Sequence, residues 1–235
     1  MNQRMYALGS KRSVIREIFE FGKKRAAEVG AENVFDFSLG NPSVNPPAIV
    51  TEMLEDLLKT KDSAALHGYT SAQGDFSVRK AIADYIAATH GVKTDPDLIY
   101  MTCGAAASLT ITLSAICNAG DEVIAFAPFF TEYRVFTETA GAKLVPLMSD
   151  PDTFQIDFAL LEKAVNEKTA AVLVNSPNNP SGVVYNEDTI RKLSALLGEK
   201  SRQYGRPIYI VTDEPYRELV YGGVKVPYLT KYYRN

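Results

Sequence analysis

Cysteine and histidine are almost missing from this chain: two of each among 235 residues, Cys103, Cys117, His67 and His90, all well separated. Without a Cys-x-x-Cys pair or a His-rich ligand set, neither a structural zinc site nor a disulfide framework is expected. A run of ~18 apolar residues, the length that spans a bilayer, is also lacking, so no membrane partner is expected. The opening Met1-Asn2-Gln3-Arg4 leads into a charged amphipathic segment instead of the apolar core of a secretory signal, and the expected compartment is the cytoplasm. Charge of one sign is scarce as well. Twenty-five Lys and Arg are scattered among 28 Asp and Glu, a formal −3, which provides no basic face for nucleic acid. The expected ligand is a small molecule. Hydrophobic residues at 46% and charged residues at 23% leave ample material for a core, in one large domain with appendages.

Along the chain, apolar residues at helical spacing (Val14, Ile15, Ile18, Phe19, Ala26) predict a surface helix over 10–30, closed by Gly30. Residues 34–39 alternate apolar and polar before Gly40-Asn41-Pro42, the pattern of a short strand entering a turn. Pro46-Pro47 opens a helix with Ile49, Val50, Met53, Leu54, Leu57 and Leu58 on one stripe. His67 to Gly74 reads as a polar loop, in which Tyr69 is exposed unless something binds it, and a helix follows to Gly91. Beyond Pro96 a regular alternation begins. Strands are expected at 98–102, 122–127, 143–148, 170–176 and 208–213, and helices at 105–119, 130–140, 158–166 (capped by Asp157) and 187–204. Strands alternating with helices imply crossover connections and an α/β fold, a mainly parallel sheet with helices on both faces. The unbroken apolar runs Val123-Ile124-Ala125-Phe126 and Ala171-Val172-Leu173-Val174 fit strands buried on two sides.

In such sheets ligands bind outside the carboxyl ends of the strands, and four strand ends carry unusual residues. Thr102-Cys103-Gly104-Ala105-Ala106-Ala107-Ser108 passes from a strand into a helix start; its small side chains let an anion approach free N–H groups, though an Ala-rich helix packing closely on a sheet reads the same way. Ala127-Pro128-Phe129-Phe130-Thr131-Glu132-Tyr133 places aromatics at a junction, either to stack on a flat heterocycle or to fill the core. Val174 to Gly182, with Pro177 and Pro180 flanking Asn178 and Asn179, cannot continue a central strand and forms a rigid loop, functional or merely connecting. Thr212-Asp213-Glu214-Pro215-Tyr216 ends an apolar strand on an acid, which is a buried partner for a cation or a helix cap. Together, an anion cradle, a stacking aromatic, an acid and two hydrogen-bond donors meet the demands of pyridoxal 5′-phosphate.

At these residues the chain resembles the class I/II aminotransferases of fold type I. The resemblance rests on Asn179-Pro180-Ser181-Gly182, Asp213-Glu214-Pro215-Tyr216, Gly40-Asn41-Pro42 and Tyr69 in Gly-Tyr-Thr-Ser-Ala-Gln-Gly, in order from about residue 33 to 216. It implies that Asp213 pairs with the pyridinium nitrogen, Asn179 and Tyr216 contact the phenolic oxygen, and Phe130 stacks on the ring. Gly104, Ala105 and Ala106 would hold the phosphate, and Gly40 would line the substrate carboxylate site. Tyr69 would reach the cofactor of a neighbouring subunit, which implies a homodimer. The implied domains are residues 1–48, a helix and strand on the small-domain side, and 49–235, a truncated cofactor-binding large domain.

Two smaller departures from the family pattern lie within the chain, and the largest concerns residues it does not contain. The cradle lacks a central hydroxyl, and Phe130 stands where many relatives carry Trp or Tyr. The family's Schiff-base lysine and its substrate-carboxylate arginine are expected beyond Asn235, because Lys225 and Lys231 lie outside the Ser-x-x-Lys or Ser-Lys context. No catalytic residue is therefore assigned within the chain, which alone is not expected to complete a cycle. The implied activity is transamination between an amino acid and a 2-oxo acid in amino acid metabolism. Alternatives are a C–S lyase or decarboxylase on the same scaffold, and a non-catalytic binding module.

Overall fold

The computed structural model describes residues 1, 3–10, 14–40 and 44–233, which fall into two compact units, Met1–Tyr69 and Thr70–Asn235. The first unit holds α1 (Gln3–Ser10), α2 (Val14–Val29), α3 (Ala48–Thr60) and α4 (Ser63–His67). Pro47, with φ −55°, occupies the N-cap position of α3. Asp62 caps α4 by accepting from the Ala65 N–H at 3.1 Å. The strand expected at 34–39 is absent. That segment is irregular, bending at Ser38 and Leu39 where the Ser38 N–H donates to the Asp36 carboxylate, and it joins no sheet among the described residues; Phe35 and Phe37 stand 82% and 92% exposed. Alternation makes a segment fit to be a strand; a partner with a free edge makes it one. Asn41 and Pro42 of the turn read after it lie outside the described residues.

The second unit opens with α5 (Phe76–His90), whose first turn is capped by Asp75. Next comes the second departure from expectation, at 98–102. Asp95 and Pro96 start a short 3-10 turn, Pro96–Leu98, and the Met101 N–H goes to the Gln73 carbonyl at 2.9 Å instead of to a sheet. Then follow α6 (Ala105–Ile116), β1 (Glu122–Ala127), α7 (Tyr133–Thr139), β2 (Lys143–Met148), α8 (Phe158–Ala164), β3 (Thr169–Asn175), α9 (Glu187–Tyr204) and β4 (Tyr209–Asp213). Asp157 caps α8 through the Ala159 and Leu160 N–H groups, as expected. α7 begins three residues later than its apolar pattern indicates, because Phe130 to Glu132 form a turn first.

The four strands are all parallel, in the order β2-β1-β3-β4. Their period of two sorts side chains between two helical layers. Val123, Ala125, Ala171 and Leu173 pack with Leu109 and Leu113 of α6 and Tyr133 of α7. Ile124, Phe126, Val172 and Val174 pack with Leu161 of α8 and Ile190, Leu193 and Leu197 of α9. β3 is buried at all seven positions because both of its faces are covered. The strand order reverses between β1 and β3: β1 leads to β2 on one side, β3 to β4 on the other. That reversal opens a crevice outside the carboxyl ends of these strands.

At the opposite edge of the sheet, Asp121 is buried just before β1. Arg206, between α9 and β4, binds both its carboxylate oxygens at 3.0 Å, and the Asn118 N–H adds a bond at 2.8 Å. These hydrogen bonds, led by those of Arg206, hold the carboxyl below its ordinary 3.8. A lowered folded value means stability that is present above the unfolded pKa and lost as pH falls through the folded one. Asp121→Asn is expected to cost ~1.5–3 kcal/mol at neutral pH, with the gap from wild type closing below about pH 4, as read by urea denaturation across pH.

Candidate active site

The loop after β3 is shaped by its own side chains. Asn178 is buried, and its Oδ1 accepts from the Ser181 N–H at 3.0 Å and the Ser181 hydroxyl at 2.8 Å. Its N–H donates to the Val183 carbonyl and its carbonyl accepts from Gly182, which at φ +73° holds a backbone geometry that favours glycine. Ser176 Oγ accepts from the Tyr185 N–H at 2.9 Å. With Asn178 committed to closing the loop, Asn179 is the asparagine left to face outward from it.

Asn179 sits at the centre of a hydrogen-bonded series. Its Nδ2 reaches the Tyr216 hydroxyl at 3.4 Å, and its N–H donates to Asn175 Oδ1 at 2.7 Å. The Asn175 Nδ2 in turn donates to the Asp213 carbonyl at 2.7 Å, and Asp213 Oδ2 accepts from the Tyr133 hydroxyl at 2.7 Å. Strand register explains the grouping, because Asn175 and Asp213 are paired last residues of adjacent strands. Leu173 and Val211, two positions earlier, belong to the α6/α7 face, so the alternation turns Asn175 and Asp213 to that face too. A turn follows Asp213 in place of a helix, so the carboxylate caps nothing. Arg217 fixes this turn by pairing with Glu214 at 2.6 Å and donating to the Val226 and Pro227 carbonyls.

Tyr133 is 1% exposed, edge-on to Phe130 with centroids 5.7 Å apart and stacked with Phe129 at 6.3 Å. Burial, then the bond to Asp213, push its hydroxyl far above the ordinary value of 10.0, so it stays a donor. Among the described residues no lysine or arginine pairs with Asp213. A half-buried carboxylate with one neutral donor is left short of a cation.

Gly104 starts α6 at φ +89° with open space where a Cβ would stand. No side chain caps this helix start, which leaves the first N–H groups, on Ala105 to Ala107, directed outward at the positive end of a 12-residue helix. Ala105, Ala106, Phe130, Asn175, Asn179, Asp213 and Tyr216 all line one cavity of ≈ 240 Å³. Six of the nine residues singled out from sequence thus share a wall, and Gly104 adjoins them in the chain. Gly40 and Tyr69 are exposed members of the first unit. Lys225 and Lys231 line a different cavity of ≈ 580 Å³, with His90, Arg217 and Tyr228, that has no residue in common with the first. Sequence reasoning did not assign Tyr133 or Asn175 a role. Tyr133 lay within the aromatic stretch and Asn175 in the Asn/Pro loop, but what marks them is the partner each meets.

A flat anionic ring fits this arrangement: helix N–H groups for the anion, an aromatic wall, amide and hydroxyl donors, and a carboxylate for a ring cation. The molecule is thus an open α/β domain with a crevice at the switch point of a parallel sheet. Residues 32–232 match the family described as aminotransferase class I and II, and the chain belongs to that family, of fold type I. It is 30% identical over 211 residues to a probable aspartate aminotransferase of Methanocaldococcus jannaschii, covering 90% of this chain and 51% of that protein. An aminotransferase from Eubacterium rectale is 58% identical with a TM-score of 0.96, over 99% of this chain and 59% of that one. The aspartate aminotransferase of Thermus thermophilus with maleate is 27% identical with a TM-score of 0.80, over 96% of this chain and 56% of that one. The chain spans about half the length of the curated relatives it matches.

Tyr133→Phe strips Asp213 of its donor and is expected to cost ~1–3 kcal/mol. The raised value of Tyr133 means that its contribution is complete below the ordinary 10.0 and fades as pH rises beyond it. In an alkaline absorbance titration, wild type and variant should therefore gain the same tyrosinate signal until the fold is lost.

Proposed function

We propose that this chain carries the cofactor-binding part of a pyridoxal-phosphate-dependent aminotransferase that moves an amino group between an amino acid and a 2-oxo acid. The observation that carries the reading is Asp213, a half-buried carboxylate without a cationic partner among the described residues, on the same cavity as Asn179 and Tyr216 and beside an uncapped helix start. When bound, pyridoxal phosphate supplies a protonated ring that draws electrons from the substrate's α-carbon. Asp213 holds the proton at the ring nitrogen, and the Asn179 amide and Tyr216 hydroxyl donate to the phenolic oxygen. Phe130 covers a ring face. Gly104, Ala105 and Ala106 hold the phosphate, Gly104 by leaving the approach open and Ala105 and Ala106 by their backbone N–H groups, and without a central hydroxyl the remaining contacts fall to Ser, Lys or Arg residues further along the chain.

Further parts of the proposal rest on the family resemblance. Gly40 lines the substrate carboxylate site, and residues 1–48 side with the small domain. Tyr69 reaches the phosphate site of a neighbouring subunit, so the enzyme works as a homodimer, in the cytoplasm. The amino acid donor is open, since the relatives' names include aspartate and tyrosine aminotransferases.

The test has two arms. Asp213→Ala is expected to lower pyridoxal phosphate affinity by ~1.5–3 kcal/mol, the worth of a charge-assisted bond, in a titration followed by cofactor absorbance. Unchanged affinity would place the site elsewhere. The intact protein, loaded with cofactor and given a panel of amino acids with 2-oxoglutarate, should yield glutamate; release of pyruvate and ammonia from a cysteine conjugate instead would make it a lyase.

A further inference from the structure

We propose that Asn175 is a positioning residue that sets the spacing between Asp213 and Asn179 across the ends of β3 and β4. The inference rests on the reading of the cavity as a pyridoxal phosphate site and deepens it. Asn175 is 5% exposed, and both ends of its amide are engaged. Nδ2 donates to the Asp213 carbonyl and Oδ1 accepts from the Asn179 N–H, each at 2.7 Å. Both partners are backbone groups of the two residues assigned to opposite sides of the ring, the nitrogen side and the phenolic-oxygen side.

The chemistry selects this side chain. One group must donate in one direction and accept in the other within a single short planar unit, which a carboxylate cannot do and a hydroxyl cannot span. β3 and β4 are joined by ladder bonds only up to the Asn175/Asp213 pair. Beyond it the chains diverge into the loop of Asn179 and the turn of Tyr216, so regular sheet bonding no longer fixes the gap between them. The Asn175 amide continues the linkage one step further out. Its burial among the α6/α7 face keeps water from competing for the two bonds. Preorganised spacing matters because the Asp213 carboxylate and the Asn179 amide must meet two atoms of one rigid ring at once.

Asn175→Ala should weaken pyridoxal phosphate binding roughly ten- to a hundredfold, the loss expected for about one or two misplaced hydrogen bonds. In an Asn179→Ala/Asp213→Ala background the same change should have an effect of about twofold or less, because a residue acting through those two has nothing left to position. In the cofactor-free protein, exchange of the Asn179 amide proton measured by NMR should accelerate in Asn175→Ala. Asn175→Asp conserves the volume and the acceptor but loses the donor: it should keep Asn179 protected yet still lower affinity, which serves if the alanine variant folds poorly. Leu193→Ala, in the opposite core face, is the control for general loosening and should leave affinity as in wild type. Equal losses in both backgrounds, or unchanged affinity in Asn175→Ala and Asn175→Asp, would overturn the inference while leaving the cofactor reading intact. Failure of the unaltered protein to bind pyridoxal phosphate would overturn that reading, and the inference with it.

Discussion

The register between β3 and β4 is the constraint on which the rest of this molecule depends. It sets Asn175 opposite Asp213, and because side chains alternate, a slip of β4 by one residue would swing Asp213 to the α8/α9 layer and leave the cavity without its acid. The same register places Leu173 beside Val211 in the α6/α7 core. Core packing and site geometry are therefore specified by a single alignment. Hydrophobic burial secures the alignment, since β3 is covered on both faces, and the polar residues at its end are carried along by it.

Topology then decides what surrounds the acid. The strand order reverses between β1 and β3, so the carboxyl ends of β1, β3 and β4 send their loops around one crevice. β1 delivers Phe130 and Tyr133, β3 delivers Asn175 and Asn179, and β4 delivers Asp213 and Tyr216. α6 completes the wall with its bare N-terminus. Within this set Asp213 alone carries a charge, and its protein partner is a neutral hydroxyl. The site is preorganised by neutral donors and acceptors, which leaves the electrostatic demand of the carboxylate for a bound cation to satisfy.

Much of the second unit was legible from local pattern. The bounds of β1, β2 and α9 agree with the sequence expectation, and β3 and β4 differ by a residue, because alternation, apolar runs and helix caps such as Asp157 act over a few residues. The expected strands at 34–39 and 98–102 failed for one reason: a strand is a relation between two segments, and neither segment joins a sheet among the described residues. The site divides in the same manner. Asn179, Asp213 and Tyr216 stood out because prolines and a strand end punctuate the chain beside them. Phe130 was read as either stacking or core; it packs on the α6/α7 cluster and also lines the cavity.

The sequence by itself determined the α/β class, the alternation of strands and helices after Pro96, and the short motifs that place the chain among the class I and II aminotransferases. These features depend on spacing along the chain, which a linear reading contains. The tertiary structure alone decided that Asn178 closes its own loop while Asn179 faces the cavity, that Tyr133 spends its hydroxyl on Asp213, and that Asn175 joins the two sides of the site. Those assignments are hydrogen bonds between residues up to 80 positions apart. Their donors and acceptors find one another only after the sheet has aligned its strands.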